Sequence, residues 1–334
     1  MARAEAVSPL LARLLRCTAC GGSFDATAAA TLACVDCGRA VPVVDGIPRF
    51  VPAENYAATF GFQWNRFRRT QLDSHSGVAV SRDRFVRETN WSAETLTGKL
   101  VLDVGCGAGR FAEIALSLGA TVVAVDYSRA VDACRANLSS DRLHVVQADI
   151  YQLPFATESF DAVYSLGVVQ HTPDVERAVK ALVAPLKPGG DLVVDVYRKH
   201  WKGWLHPRMW LRPVTTRMDA GRLFRIVERA TPAMLRISNT VGAIPVVGRQ
   251  LRRIVPVANH AGLLPLSPAQ LEEWAILDTF DWLSPAYDQP QTAATLRRWL
   301  LESGLTGVDV FKADHLTARG RKPAAARAAD APRH

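Results

Sequence analysis

The 334-residue sequence contains no run of about 18 or more apolar residues, so it offers no simple hydrophobic membrane-spanning helix. It has no internal repeat, which excludes solenoid and propeller arrays. Its amino-terminal SPLLARLLRC is short and interrupted by arginine, unlike a secretory signal, and the expectation is a cytoplasmic protein. Acid is scarce in one stretch. Between Arg198 and Arg253 only Asp219 and Glu228 face thirteen Lys or Arg, although the whole chain carries just +8. That stretch reads either as a solvated helical face or as a basic surface toward an anionic substrate, acidic lipid or nucleic acid. With 49% of residues apolar, a substantial core is available and global disorder is excluded.

Cysteine is also sparse, but four of the six form a pattern. Cys17 and Cys20 in CTAC, and Cys34 and Cys37 in CVDC, make two C-x-x-C knuckles with ligand spacing for a tetrahedral four-thiolate zinc ion. Disulfides are the alternative, disfavoured in a reducing compartment. Residues 1–52 thus read as a small zinc ribbon that needs its metal to fold, attached to a catalytic sheet that keeps its own core.

Residues 53–98, rich in aromatic and charged side chains, read as two or three amphipathic helices leading into and covering the main domain. From Lys99 strands and helices alternate: KLVLDVG, TVVAVDY, LHVVQAD, FDAVYSLG and GGDLVVDVY are five apolar strands of a parallel sheet covered on both faces. The core is assigned to 99–197 and a helical insertion, the acceptor lid, to 198–290. The last helix and strands are assigned to 291–316, with a possible strand near HLTARG, and a disordered tail to 317–334.

The first strand runs into a glycine loop, but the spacing Gly105, Gly107, Gly109 is not the dinucleotide G-x-G-x-x-G. Asp103, Asp126 and Asp149 all sit at strand carboxyl ends, where an open parallel sheet binds its ligand. A pyrophosphate gains nothing from those carboxylates. S-adenosylmethionine presents a sulfonium, an ammonium, a ribose diol and an adenine amine, each a cation or a donor to carboxylate. Asp161 stands at the opposite end of its strand and reads as structural.

VLDVGCGAGRF, VVAVDYS, QADIYQLPF, FDAVYSLGVVQHTPD and LKPGGDLVV together resemble the successive motifs of class I S-adenosylmethionine-dependent methyltransferases, over about residues 96–197. The resemblance implies an α/β, Rossmann-like sheet. It implies that Gly105, Gly107 and Gly109 approach the methionine part with Asp103 nearby, that Asp126 holds the ribose, and that Asp149 and the Ile150 amide read adenine. Tyr127 either packs on adenosine or is buried core. The amino-terminal ribbon is similar to the zinc-binding activator subunit of translation-related methyltransferases, and to ribbons fused to some ribosomal RNA guanine methyltransferases.

Two acceptor signatures are missing. No Asn-Pro-Pro-Tyr follows the fourth strand to grip a base amine, and no Pro-Cys stands there for covalent attack on pyrimidine carbon. His171, in SLGVVQHTPD, lies just past that strand's end and is a candidate base for an acceptor hydroxyl, or else a helix-capping residue. Asp278, Asp281, Tyr287 and Asp288 lie on or beside Pro-bounded turns as candidate substrate contacts; Trp274, Phe280 and Trp282 are candidate walls of an acceptor site, with core packing the alternative expected for at least two of them. The reading is methyl transfer to an oxygen of a small or carrier-bound acceptor, with an anionic handle or a membrane face as the options for the basic insertion. The rival is methylation of a ribosomal or transfer RNA base, with ribbon and insertion holding phosphates.

Overall fold

The computed structural model describes residues 7–28, 30–52, 55–199 and 206–325. The ribbon begins with helix α1 (Pro9–Leu14), entered at Ser8, whose Oγ accepts the Leu11 amide, with Pro9 supplying a preset first-turn φ. Four short strands follow, β1 (Phe24–Asp25), β2 (Thr31–Cys34), β3 (Ala40–Val44) and β4 (Ile47–Pro48), paired antiparallel in chain order. Along β3 Val41 and Val43 face inward and their neighbours outward, the period-two pattern of a half-buried strand.

The ribbon is not a separate body. Leu11, Leu14, Leu15, Phe24, Leu32, Val41 and Val43 share one apolar cluster with sheet residues such as Leu102, Val146 and Phe155. Leu15 forms an isolated bridge with Phe155, the Arg16 amide donates to Pro154 O at 2.9 Å, and the Phe50 amide donates to Gln147 O at 2.8 Å. The expectation of a catalytic sheet with a wholly separate core is therefore corrected. A ribbon this small exposes one apolar face whatever its metal does, and the sheet is what covers it.

Four helices lead in: α2 (Ala58–Arg66), α3 (Asp73–Ser76), α4 (Val80–Thr89) and α5 (Ala93–Leu96). The seven-stranded sheet comprises β5 (Leu100–Val104), β6 (Thr121–Asp126), β7 (Leu143–Gln147), β8 (Phe160–Ser165), β9 (Leu186–Val196), β10 (Thr306–Lys312) and β11 (Leu316–Arg321), in the order β10-β11-β9-β8-β5-β6-β7. Strands β5 to β9 are parallel, and β11 runs antiparallel between β9 and β10. Helices α6 (Arg110–Ser117), α7 (Ala130–Asn137) and α8 (Val175–Ala181) connect the parallel strands. Their coverage of both faces explains why β5 to β8 read as almost unbroken apolar runs.

The insertion contributes α9 (Pro207–Thr215), α10 (Ala220–Gly242), α11 (Gly248–Leu251) and α12 (Pro268–Leu283), and α13 (Ala293–Glu302) returns to the sheet. Leu223, Phe224 and Val227 of α10 pack with Leu277, Phe280 and Leu283 of α12 and with Phe67.

The expected tail is corrected at its start. Leu316–Arg321 is an interior strand of the sheet, so no tail begins at 317. Its burial hides behind arginine: Thr317 and Ala318 are fully buried, while Arg319 lies over the Phe311 ring and Arg321 pairs with Asp191 at 2.8 Å. Residues 326–334 of that expected tail lie outside the described residues.

Candidate active site

Strand β5 delivers the glycine loop to the carboxyl edge of the sheet, where β6 and β8 also end. Gly105, Gly107 and Gly109 all have positive φ, at 85°, 52° and 93°. They have different jobs. A Cβ on Gly105 would overlap the Val168 side chain, and one on Gly107 would lie 3.3 Å from Trp64, so these two hold the backbone open beside the cavity. A Cβ on Gly109 would meet Leu138 at 2.8 Å and Cys134 Sγ at 3.1 Å. Its task is the close packing of α6 on α7 and the chain that follows, and it lies outside the cavity lining.

Asp126, at the end of β6, ties this loop down. Its Oδ2 accepts the Gly107 amide at 3.0 Å, and its Oδ1 accepts the Ser128 amide at 2.8 Å and the Ser128 hydroxyl at 2.7 Å. Burial raises its pKa against the pull of those three donors. Asp103 lies beneath the loop, 2% exposed, outside the lining. Burial pushes it up to about 8; Tyr164 acts to lower it and the Asp126 charge adds to the rise. The Asp103 Oδ2 and the Tyr164 hydroxyl nonetheless each lack a partner meeting hydrogen-bond geometry.

One cavity of about 770 Å³, within the size range of small-molecule sites, runs from this loop to the insertion. Of the anticipated residues it brings together Gly105, Gly107, Asp126, Tyr127, Ile150, His171, Asp278 and Asp281. Asp149 is not in the lining: its Oδ1 caps the short 3-10 turn Ile150–Gln152 by accepting the Tyr151 amide at 2.9 Å. Tyr127 stacks on Tyr56, ring centroids 4.8 Å apart, and both line the cavity. Asp161 accepts the Leu100 amide and pairs with Lys187, both at 2.9 Å, as structural support at the other end of the sheet.

His171 is held rather than loose. Its Nδ1 lies 3.0 Å from the Tyr287 carbonyl, which only accepts, so Nδ1 carries a proton and Nε2 is the nitrogen left for another partner. The ring sits between Phe60 and Tyr197, with centroids at 5.2 and 5.4 Å. Tyr287 thus serves through its carbonyl and is absent from the lining, as is Asp288, whose carboxylate lies 3.8 Å from Arg208. Asp278 accepts from His260 at 2.7 Å if the imidazole nitrogen is protonated, and Asp281 takes Gln63 at 3.2 Å and the Tyr197 hydroxyl at 3.5 Å. Trp274 and Trp282 wall the cavity, whereas Phe280 is fully buried core.

Sequence reading missed two arginines. Arg84 is flanked by Asp195 at 2.6 Å and Glu88 at 3.0 Å, and Asp195 also accepts the Gly167 amide. Asp195 closes the fifth apolar strand just as Asp103, Asp126 and Asp149 close or follow theirs, and that parallel was the available signal. Arg110, one residue past the glycine loop, also lines the cavity.

The donor set fits S-adenosylmethionine. Two glycines keep side chains away from the loop backbone at the cavity, the Asp126 carboxylate lines it, and an orphaned buried carboxylate oxygen lies beneath. The ribbon also fits its metal. The four Sγ atoms lie within 4.8 Å of one another, with Cys17–Cys37 at 3.7 Å and Cys20–Cys34 at 3.4 Å. Tetrahedral zinc with bonds of ~2.3 Å requires about 3.8 Å between sulfurs.

Residues 102–194 match the family described as a methyltransferase domain. They form a class I S-adenosylmethionine-dependent methyltransferase domain. A ubiquinone biosynthesis O-methyltransferase of Coxiella burnetii is 34% identical over 115 residues, covering 34% of this chain and 49% of that protein. The chain therefore spans about half the length of such curated relatives. Methyltransferase GfsG of Streptomyces halstedii is 27% identical over 229 residues, 66% of this chain and 75% of that protein. Among solved structures, the 1,6-didemethyltoxoflavin-N1-methyltransferase of Burkholderia thailandensis aligns with a TM-score of 0.43 at 18% identity, over 86% of this chain and 97% of that one. S-Adenosylmethionine is the methyl donor of the methyltransferase domain's family. No helix among the described residues is long and apolar enough to cross a membrane.

Proposed function

We propose that the chain methylates an oxygen of a small, largely apolar acceptor, with His171 as the base. The carrying observation is the His171 imidazole in the cavity wall, with Nδ1 committed to the Tyr287 carbonyl and Nε2 left for another partner. Relatives named as O-methyltransferases support the oxygen. Gly105, Gly107, Asp126, Tyr127 and Ile150 would hold S-adenosylmethionine, with Asp103 beneath, and Cys17, Cys20, Cys34 and Cys37 would hold zinc. The bound cofactor supplies an electrophilic methyl on a sulfonium. The protein's part is to align the acceptor for in-line attack, to exclude water behind Trp274 and Trp282, and to take the hydroxyl proton on Nε2.

The test is a labelled-methyl assay over a panel of phenols, catechols and alkyl alcohols. His171→Ala should cut turnover by roughly a hundredfold or more while cofactor affinity holds. Methylation only at nitrogen or carbon, or an undiminished mutant, sinks the reading.

We also infer that the insertion rests on anionic lipid. The insertion exposes both aliphatic and cationic side chains: Val246 is 96% exposed, Val214 67% and Ile254 64%, and Arg222, Arg225, Arg229, Arg236 and Arg253 are also exposed. An RNA track needs the arginines but not the aliphatic neighbours, whereas a bilayer interface uses both. Leu263, also in the insertion and 71% exposed, lines the cavity and gives it an apolar rim.

A further inference from the structure

Arg110 is a cation in the cavity wall with no carboxylate in ion-pair contact. Its Nε donates to the Ser81 hydroxyl at 2.9 Å and its Nη1 to the Gln71 side-chain oxygen at 3.0 Å, both neutral acceptors. The guanidinium carbon lies 5.0 Å from the Phe111 ring centroid and 5.3 Å from that of Trp274, so aromatic faces flank it. Among the described residues no carboxylate pairs with it and Nη2 has no partner. The two other arginines in the lining differ: Arg84 is matched by Glu88 and Asp195, and Arg87 by Asp314.

Burial, helped by the Arg84 charge, lowers Arg110 to about 9 against the more distant charges of Asp278, Asp73 and Glu88, which still leaves it protonated at neutral pH. A half-enclosed guanidinium with spare donors and no anion is an incomplete ion pair, and its desolvation is offset only when one arrives. The neighbours limit what that anion is. Asp83 and Asp278 also line the cavity, and Asp278 is occupied by His260. One positive charge without a contacting carboxylate, set among those acids, suits a monoanion better than a phosphate dianion. The flat fork of Nη1 and Nη2 between two rings suits a planar group.

We propose that Arg110 is the cavity's carboxylate-binding residue. The carboxylate has two possible sources, the methionine end of the cofactor or an acid on the acceptor. The inference rests on the methyl-transfer reading of the cavity. It adds a charge requirement that this reading alone does not make, and a residue that neither the glycine motif nor the acid set designates.

Calorimetry on the full-length protein separates the possibilities with three probes. S-Adenosylhomocysteine carries the methionine carboxylate, 5′-methylthioadenosine keeps its adenosine and thioether without that acid, and benzoate stands for an acidic aromatic acceptor. Arg110→Met should lose at least tenfold affinity for S-adenosylhomocysteine or for benzoate, with methylthioadenosine binding unchanged. Loss confined to the homocysteine compound assigns the cofactor's acid, and loss confined to benzoate assigns the acceptor's. Arg110→Lys keeps the charge but not the fork and should fall between wild type and Arg110→Met, so it decides the matter if the methionine variant does not fold. Variants that bind S-adenosylhomocysteine like wild type, with benzoate bound equally or by neither, overturn the proposal. A wild-type protein that binds neither nucleoside refutes the methyltransferase reading instead, an outcome visible before any variant is made.

Discussion

Replacing Asp126 probes the point where loop geometry and cofactor chemistry meet. Its carboxylate receives three hydrogen bonds, from the Gly107 amide at 3.0 Å and from the Ser128 amide and hydroxyl at 2.8 and 2.7 Å. If Asp126 holds the ribose as proposed, alanine removes the acceptor for its diol, and it also frees the Gly107 amide of the loop. A hydrogen bond to a charged group is worth about 1.5–3 kcal/mol, so loss at the ribose alone predicts a weakening of roughly ten- to over a hundredfold. The substitution Asp126→Asn keeps one neutral acceptor for the loop and should therefore lose less, about fivefold, on the order of 1 kcal/mol. Titration calorimetry with S-adenosylhomocysteine measures both. Adenine, which has no ribose, is the control and should bind the three proteins alike. The reasoning is refuted if Asp126→Ala binds S-adenosylhomocysteine as tightly as wild type. It is equally refuted if adenine and S-adenosylhomocysteine weaken together, since the residue would then hold the fold of the pocket and not the ribose.

The central sheet was legible because its strands are buried on both faces, which writes nearly continuous apolar runs broken by turn residues. The acid set was legible only in part. Strand-end position told that Asp103, Asp126 and Asp149 lie at one edge, but not which way each carboxylate turns. Asp149 turns back to cap its own 3-10 turn and Asp103 points beneath the loop, leaving Asp126 alone in the lining. Gly109 looked like its two predecessors because a positive φ leaves the same residue at a loop and at a packing contact. Tyr287 was singled out as a polar residue beside a Pro-bounded turn and acts through its backbone, which every residue has and no sequence distinguishes. Arg110 escaped for a related reason. One arginine among forty basic residues carries no mark of being unpaired, since pairing is a property of the folded neighbourhood. The shared core of ribbon and sheet was hidden because the ribbon's inward residues satisfy a local strand pattern whether or not a second surface covers them.

Three further expectations follow from the packing and the charges. Changing Cys17 and Cys20 to serine should abolish bound zinc by elemental analysis; because Leu15 and Phe50 join the ribbon to Phe155 and Gln147, it should also weaken cofactor binding and lower the melting temperature of the whole protein, and an unchanged affinity and melt would restore the picture of an independent ribbon. The protein should sediment with vesicles containing anionic phospholipid and not with neutral ones, Val246→Asp and Arg253→Glu should each reduce binding, and equal partition onto neutral vesicles would remove the electrostatic half of that inference. The last concerns Asp103, which burial holds at about 8, above an unfolded carboxylate near 4. The folded free protein therefore binds that proton more tightly than the unfolded chain, and this group's contribution to stability falls as pH rises from about 4 to about 8. Cofactor binding works in the opposite sense: a sulfonium and an ammonium across the glycine loop favour the carboxylate, so binding at pH 7 should release a proton and affinity should rise with pH up to about 8. Calorimetry of wild type should accordingly be more exothermic in Tris than in phosphate, because the released proton is taken up by the buffer. Asp103→Asn should remove most of that difference while still binding the cofactor, and equal wild-type heats in the two buffers would mean that Asp103 does not change its charge when the cofactor arrives.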